Sequence, residues 1–313
     1  MMLARVADSL YWMGRYAERA EHISRLCDVM LTATLDQNDD AVAIARVALA
    51  AVGDGEAYRQ AAPYDAAHDL IFDRDGEGSV VTSLSRAREN ARQVRDQITT
   101  EMWERLNLLH LRVQDPSAQP AFANASSAFL HGVIADLHLF KGAADATMSH
   151  GEGWRFLLVG VYLERAQLIA RLLDVCFGDR AGGSPLTDHL AQMAVLRMAC
   201  ALEPYLRVYT AELQPRHLLE FLLFDEDFPR SIRFSTSRIE EHLTTLVRRG
   251  DSVGPIGPDR LAARLSARLE FADMDESQGA GALLGAVVGD CSRIHHAIYE
   301  TFVAYPLEER LPA

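Results

Sequence analysis

Positive charge is in short supply. In 313 residues, 31 Lys+Arg stand against 44 Asp+Glu, giving a formal net charge of −13. A field of this sign disfavours non-specific nucleic-acid binding, which needs a basic surface to displace counterions; only a local basic groove would escape the argument. Cysteine is scarce as well. Cys27, Cys176, Cys200 and Cys291 lie far apart, form no CxxC pair and sit inside helix-like patterns. They are too few to staple a chain of this length and are expected as buried reduced thiols. Long apolar runs are missing. Arg5, Asp8, Arg15 and Glu18 interrupt the first segment, so no signal-peptide core is expected there. No window reaches the roughly 20 apolar residues of a membrane span, and the cytoplasm is the expected location.

Catalytic signatures are missing too. There is no GxxxxGK[ST] phosphate loop, no strand-coupled GxGxxG and no GxSxG elbow. A di-metal helical bundle would carry Glu-x-x-His on two helices. The nearest groupings are Asp65-x-x-His68, His217-x-x-Glu220, the Glu101/Glu104 pair and His295-His296 with Glu300, none of which recurs in both halves. Neither a metal nor a cofactor is expected. Asp73-Arg74-Asp75-Gly76 is only superficially like a calcium loop: its glycine comes too early and Leu84 stands where the last acidic ligand belongs.

Helix patterns are abundant. Hydrophobic residues make up 49% and charged ones 24%, enough for a full core. Ala, Leu, Arg and Glu dominate, while alternating Val/Ile/Thr runs are almost absent. Breakers cluster at Gly53-Asp54-Gly55, Gly76-Glu77-Gly78, Asp115-Pro116, Gly178 to Pro185 and Gly250 to Pro258. Between them, helices are expected near 3–35, 40–52, 79–113, 121–149, 152–177, 187–213, 229–249, 259–275 and 281–304, an all-α chain of long helices.

The chain also resembles itself. Residues 14–29, GRYAERAEHISRLCDV, align without gaps to 160–175, GVYLERAQLIARLLDV, with 10 of 16 identical. Residues 72–89, FDRDGEGSVVTSLSRARE, meet 224–241, FDEDFPRSIRFSTSRIEE, with 8 of 18 identical. A weaker third match pairs 133–136 with 287–290. The shared order implies a tandem duplication, residues 1–150 and 151–313. Two long copies do not make a solenoid of short repeats, so the expectation is one domain, a pseudo-two-fold long-helix bundle.

On a helical wheel, Trp12, Met13, Tyr16, Ala20, Ile23, Cys27, Met30 and Leu31 share one apolar face, and Gly14, Glu18 and Arg25 the opposite one. In the first copy Glu21, His22 and Asp28 join the polar face, which reads as solvated and salt-bridged. In the second copy Leu157, Val161, Leu168 and Val175 surround Glu164 and Arg171, so this helix should be central and its charges paired. Arg25 and Glu18 are the partners expected for them across the pseudo-two-fold. Two readings follow, a structural ion network or a polar pocket for a charged small molecule. The candidate pocket comprises Glu18, Arg19, Arg25, Glu164, Arg165 and Arg171. Secondary candidates are Asp73 with Ser79 and Asp225 with Ser231, as helix caps or an anion site at a helix start. His150 and Glu152 are a tight interhelix turn or a pocket rim.

The segments ARVADSLYWMGRYAERAEHISRLCDV, ARENARQVRDQITTEMWERLN and TMSHGEGWRFLLVGVYLERAQLIARLLDV resemble the bacterial alpha-E family, a helical domain of unknown function. Glu18 and Glu164 match its two ERA motifs, and the resemblance covers nearly the whole chain. It implies a context: such proteins are encoded beside, or fused to, circularly permuted ATP-grasp proteins and transglutaminase-like peptidases. It therefore implies service in a peptide or amide-ligation system, with an ATP-grasp partner and an amino-acid or peptide ligand, but carries over no catalytic residue. Three roles stay open. The chain is a non-catalytic helper or substrate-binding subunit that docks on the ligase and holds its peptide or amino-acid substrate, or an enzyme using Glu18 or Glu164 as acid/base with Arg25 or Arg171 as anion clamp, or a structural module that forms homo-oligomers.

Overall fold

A computed structural model describes residues 2–35, 39–52, 61–76, 78–178, 189–209, 212–248, 257–272 and 279–304. The breakers Gly53-Asp54-Gly55 and Glu77, and most of the Gly178 to Pro185 and Gly250 to Pro258 segments, lie outside them. Fourteen α-helices and no strand occur among the described residues. In chain order they are α1 (Ala4–Thr34), α2 (Asp39–Ala51), α3 (Pro63–Phe72), α4 (Val80–Gln93), α5 (Thr100–Gln114), α6 (Ala118–Asn124), α7 (Ser126–Thr147), α8 (Glu152–Phe177), α9 (His189–Met198), α10 (Leu202–Tyr209), α11 (Pro215–Phe224), α12 (Ile232–Arg248), α13 (Pro258–Glu270) and α14 (Ala280–Ile298), with a closing π-helical turn over Tyr299–Val303.

Helix starts follow local chemistry. Ser79 caps α4 by accepting the Thr82 N–H, and Thr99 caps α5 by accepting that of Met102. Proline opens α3, α11 and α13, where its missing N–H costs nothing. Three expected long helices are each divided. The 79–113 stretch breaks between α4 and α5, where Thr99 offers a better cap than continued helix. The 121–149 stretch breaks between α6 and α7, at Ala125. The 187–213 stretch breaks between α9 and α10, where Cys200 adopts a left-handed conformation with φ 56°. Cys200 is exposed, which corrects the expectation of four buried thiols; Cys27, Cys176 and Cys291 are buried and free.

The two longest helices, α1 and α8, pack on each other at the centre. Helices α4 and α7 flank α1, with α5 against both; α12 and α14 flank α8, with α13 against both. One continuous apolar cluster runs through all of these helices. At the α1–α8 crossing the backbones nearly touch. A Cβ on Gly14 would strike the Leu157 carbonyl, and one on Gly160 would strike the Tyr11 carbonyl. Glycine in a helix interior is unfavourable by roughly 0.5–1 kcal/mol relative to alanine, and here it permits that approach. No described helix is long and apolar enough to cross a membrane.

Candidate functional site

The close crossing brings the two ERA segments face to face. Arg165 donates from Nε to Glu18 Oε1 at 2.7 Å and from Nη2 to Oε2 at 2.9 Å. Reciprocally, Arg19 donates from Nε to Glu164 Oε1 at 2.6 Å. Each of these arginines also lies over a tyrosine three residues before it, Arg19 over Tyr16 at 5.6 Å and Arg165 over Tyr162 at 5.3 Å. The expected partners differ. Arg25 turns back to Glu21 on its own helix, 3.0 Å away, and Arg171 is exposed. One helical turn separates Glu21 from Arg25, whereas the adjacent residue in each motif, Arg19 or Arg165, is the one aimed across the crossing.

Further cations converge on the same carboxylates. Glu18 accepts from Lys141 and, at 3.3 Å, from Arg230 Nη1. Glu21 accepts from Arg230, from Lys141 Nζ at 2.5 Å and contacts His138 Nε2 at 3.0 Å. Glu164 takes a second arginine, Arg15, whose Nε lies 2.6 Å away; Arg15 Nη2 continues to Gln167 Oε1 at 2.9 Å. Three carboxylates, Glu18, Glu21 and Glu164, are thus shared among six cations: Arg15, Arg19, Arg25, Lys141, Arg165 and Arg230.

All three acids are dry: Glu18 and Glu21 are 0% exposed and Glu164 3%. The solvated face expected of the first copy is therefore buried as deeply as its counterpart. The wheel could not register α7 and the Arg230 turn before α12 closing over it. Burial pushes each carboxyl upward, but the surrounding cations outweigh it and hold all three below the usual carboxylate range, Glu18 and Glu21 well below it. Arg15, Lys141, Glu21 and Arg230 were not among the sequence candidates. Two of them carried a signal, Glu21 as a member of the polar face and Lys141 as the chain's single lysine.

The secondary candidates are structural in their contacts. Ser79 Oγ donates to the Asp73 carbonyl and accepts the Thr82 N–H at 3.1 Å; Ser231 Oγ donates to the Asp225 carbonyl and accepts the Phe234 N–H at 3.0 Å. Asp73 and Asp225 accept the N–H two residues on, at 2.9 and 3.0 Å. His150 stacks on Trp154 with ring centroids 3.9 Å apart and bonds the Asp145 carbonyl, closing the turn into α8; Glu152 sits in that helix's first turn.

Two clefts open beside the network. One of about 520 Å³ is lined by Arg19, His22, Asp69, Asp73, Ser79 and Arg171, among others. Another of about 480 Å³ is lined by Lys141, Trp154, Tyr162, Arg165, Arg238 and His242, among others. Neither is lined by Glu18 or Glu164, and His150 and Glu152 line neither. No group of three His, Cys, Asp or Glu among the described residues is placed to hold a metal.

A family model described as a predicted alpha-helical domain with a conserved ER motif, Alpha-E, matches residues 2–303. The chain belongs to the Alpha-E family. The Glu18-Arg19 and Glu164-Arg165 pairs at the crossing are two of the four Glu-Arg sequences of this Alpha-E chain, the others being Glu104-Arg105 and Glu309-Arg310. Uncharacterised proteins of Mycobacterium bovis and Mycobacterium tuberculosis are 27% identical to it over 298 residues, covering 87% of this chain and 33% of theirs. The chain therefore spans about a third of the length of these curated relatives. No solved structure matches it.

Proposed function

We propose that this Alpha-E chain is a non-catalytic partner subunit of a circularly permuted ATP-grasp ligase, in a bacterial peptide or amide-ligation system in the cytoplasm. The observation that carries the reading is the state of the central carboxylates. Glu18, Glu21 and Glu164 are buried, ionised and each shared by at least two cations. A general acid or base needs a pKa near the working pH and reach to a substrate proton. These groups have neither, so the acid/base alternative loses its principal residues. What remains is a rigid helical body whose charges serve its own architecture.

The length of the relatives supports attachment to other polypeptide, since two thirds of each lies outside the matching stretch. We read the body itself as two tandem copies related by a pseudo-two-fold. The reciprocal Arg19–Glu164 and Arg165–Glu18 bonds and the reciprocal glycine approaches support that reading. Co-expression with the neighbouring ATP-grasp protein, followed by size-exclusion chromatography and calorimetry, tests the docking. The expected result is a stoichiometric complex. Separate elution with no heat of binding at micromolar concentrations overturns it, and a stable homodimer in its place favours the oligomerisation module.

A further inference from the structure

Of the four positions at which the two FDxDxxxS segments differ, one has a large consequence. In the second, Arg230 reaches into the network and donates to Glu18 and Glu21, while the Pro229 carbonyl accepts from Arg165 Nη1 at 3.0 Å. On that side of the crossing a guanidinium bonds both of these α1 carboxylates. The residue aligned with Arg230 in the first segment is Gly78, and a Cβ built there meets nothing within 4 Å. The cleft of about 520 Å³ beside Arg19 is the space left open.

Its polar groups are unsatisfied in a specific way. Arg19 uses Nε on Glu164, and its other nitrogens have no partner among the described residues. Arg171, exposed on the cleft wall, has no ion-pair partner among them either. His22 lines the cleft, is only 2% exposed, and its Nε2 has no hydrogen-bond partner among the described residues. A buried, unpaired ring nitrogen costs free energy that a ligand would recover. Burial, reinforced by Arg230, lowers His22 to about 4, so the ring is neutral at pH 7, and with its proton on Nδ1 the unpaired Nε2 is an acceptor. Asp69 and Asp73 also line the cleft, and Leu70 and Leu168 supply apolar wall. Two guanidinium groups and two carboxylates leave the cleft without net charge. That balance suits a molecule carrying both signs and opposes a phosphate dianion.

We propose that this cleft binds a zwitterionic amino acid or short peptide, its carboxylate on Arg19 and Arg171 and its ammonium on Asp69 and Asp73. The proposal rests on the ligase-partner reading for the source of the ligand only; the site belongs to the isolated chain. Arginine pairs with a carboxylate through charge-assisted, bidentate bonds, which sets the orientation.

The test is thermal shift and calorimetry on the full chain with alanyl-alanine and with pools of the common amino acids, against acetate, methylamine and inorganic phosphate. The expected result is a rise in melting temperature with at least one zwitterionic probe and none with the single-charge controls. Arg171→Gln, at an exposed position, keeps the unliganded melting temperature and weakens binding about tenfold or more. Gly78→Arg, which fills the space as Arg230 does in the other segment, abolishes binding while the helical signal stays. No response to any zwitterion at millimolar concentration overturns the proposal. So does a response that both variants leave intact, or one that phosphate or acetate reproduces. A chain that docks the ATP-grasp protein yet ignores every probe loses this proposal and keeps the docking reading.

Discussion

Removing the Glu18 carboxylate is the sharpest perturbation of the crossing. Glu18 accepts from Arg165 at 2.7 and 2.9 Å, from Arg230 at 3.3 Å and from Lys141. In Glu18→Ala, Lys141 and Arg230 still have Glu21, but Arg165 keeps only the Pro229 carbonyl and its place over the Tyr162 ring. Arg165 as a residue is 9% exposed, so the variant strands a buried charge. Breaking a buried pair from one side costs about 3–5 kcal/mol. At about 2 °C per kcal/mol for a chain this size, the melting temperature falls by roughly 6–10 °C. Glu164→Ala costs less, by about 1 kcal/mol, because Arg15 retains Gln167 and its stack on Trp12 at 4.9 Å, and Arg19 is partly solvated. That order reverses what the more apolar surroundings of Glu164 in sequence imply. Glu89→Ala, which breaks an exposed pair with Arg92, leaves stability close to that of the wild type. Urea unfolding followed by far-UV circular dichroism measures all three at unchanged m-value. A Glu18→Ala cost within about 1 kcal/mol of wild type, or a larger cost for Glu164→Ala, would refute the reasoning.

Gly14→Ala places a methyl against the Leu157 carbonyl and should destabilise by about 1–3 kcal/mol or more, whereas Gly142→Ala, with nothing within 4 Å, should stabilise by about 0.5–1 kcal/mol; denaturant midpoints separate the two. Stability should fall on acidification from pH 6.5 towards 4. His22 is lowered from 6.5 to about 4, so across that window the unfolded chain binds the proton the folded chain refuses. This group contributes about 3 kcal/mol, all of it present above pH 6.5. Below about pH 4.5 the depressed carboxyls of Glu18, Glu21 and Glu164 add to the loss in the same direction. His22→Leu should flatten the upper part of that profile, read as unfolding free energy against pH, and an unchanged slope would contradict the burial of the ring. Of four cysteines, Cys200 alone should react promptly with a thiol reagent under native conditions, the other three only after unfolding. Burial pushes the Cys176 and Cys291 thiols up to about 12, which removes the reactive thiolate.

The helical class was legible because 3.6-residue periodicity and composition are local, and so was the prominence of Glu18 and Glu164, because the two segments repeat. Helix ends were less so. Whether residues 79–113 form one helix or two turns on Thr99 capping α5, a contest between a cap and continued helix that propensity alone does not decide. The α3 and α11 helices, each opened by a proline, were passed over beside longer patterns.

The least legible feature was the pairing scheme. A wheel ranks residues by the face they occupy, and on that measure Arg25 and Arg171 belong with Glu18 and Glu164. Pairing across a crossing depends instead on where two backbones touch, and Gly14 and Gly160 set that point beside Tyr11 and Leu157. From there the side chains within reach of the opposite carboxylate are Arg15 and Arg19 on one helix and Arg165 on the other. Arg25 and Arg171 lie further along their axes, at about 1.5 Å per residue. Repeated charge alone marks which residues matter; the repeated glycine fixes their partners. The same logic locates the open cleft, since Glu21 meets Arg230 on one side, while on the other the aligned residues are Gln167 and Gly78. Where the acid is absent its guanidinium is absent too, and the crossing is left neutral, unfilled and lined by arginines with donors to spare.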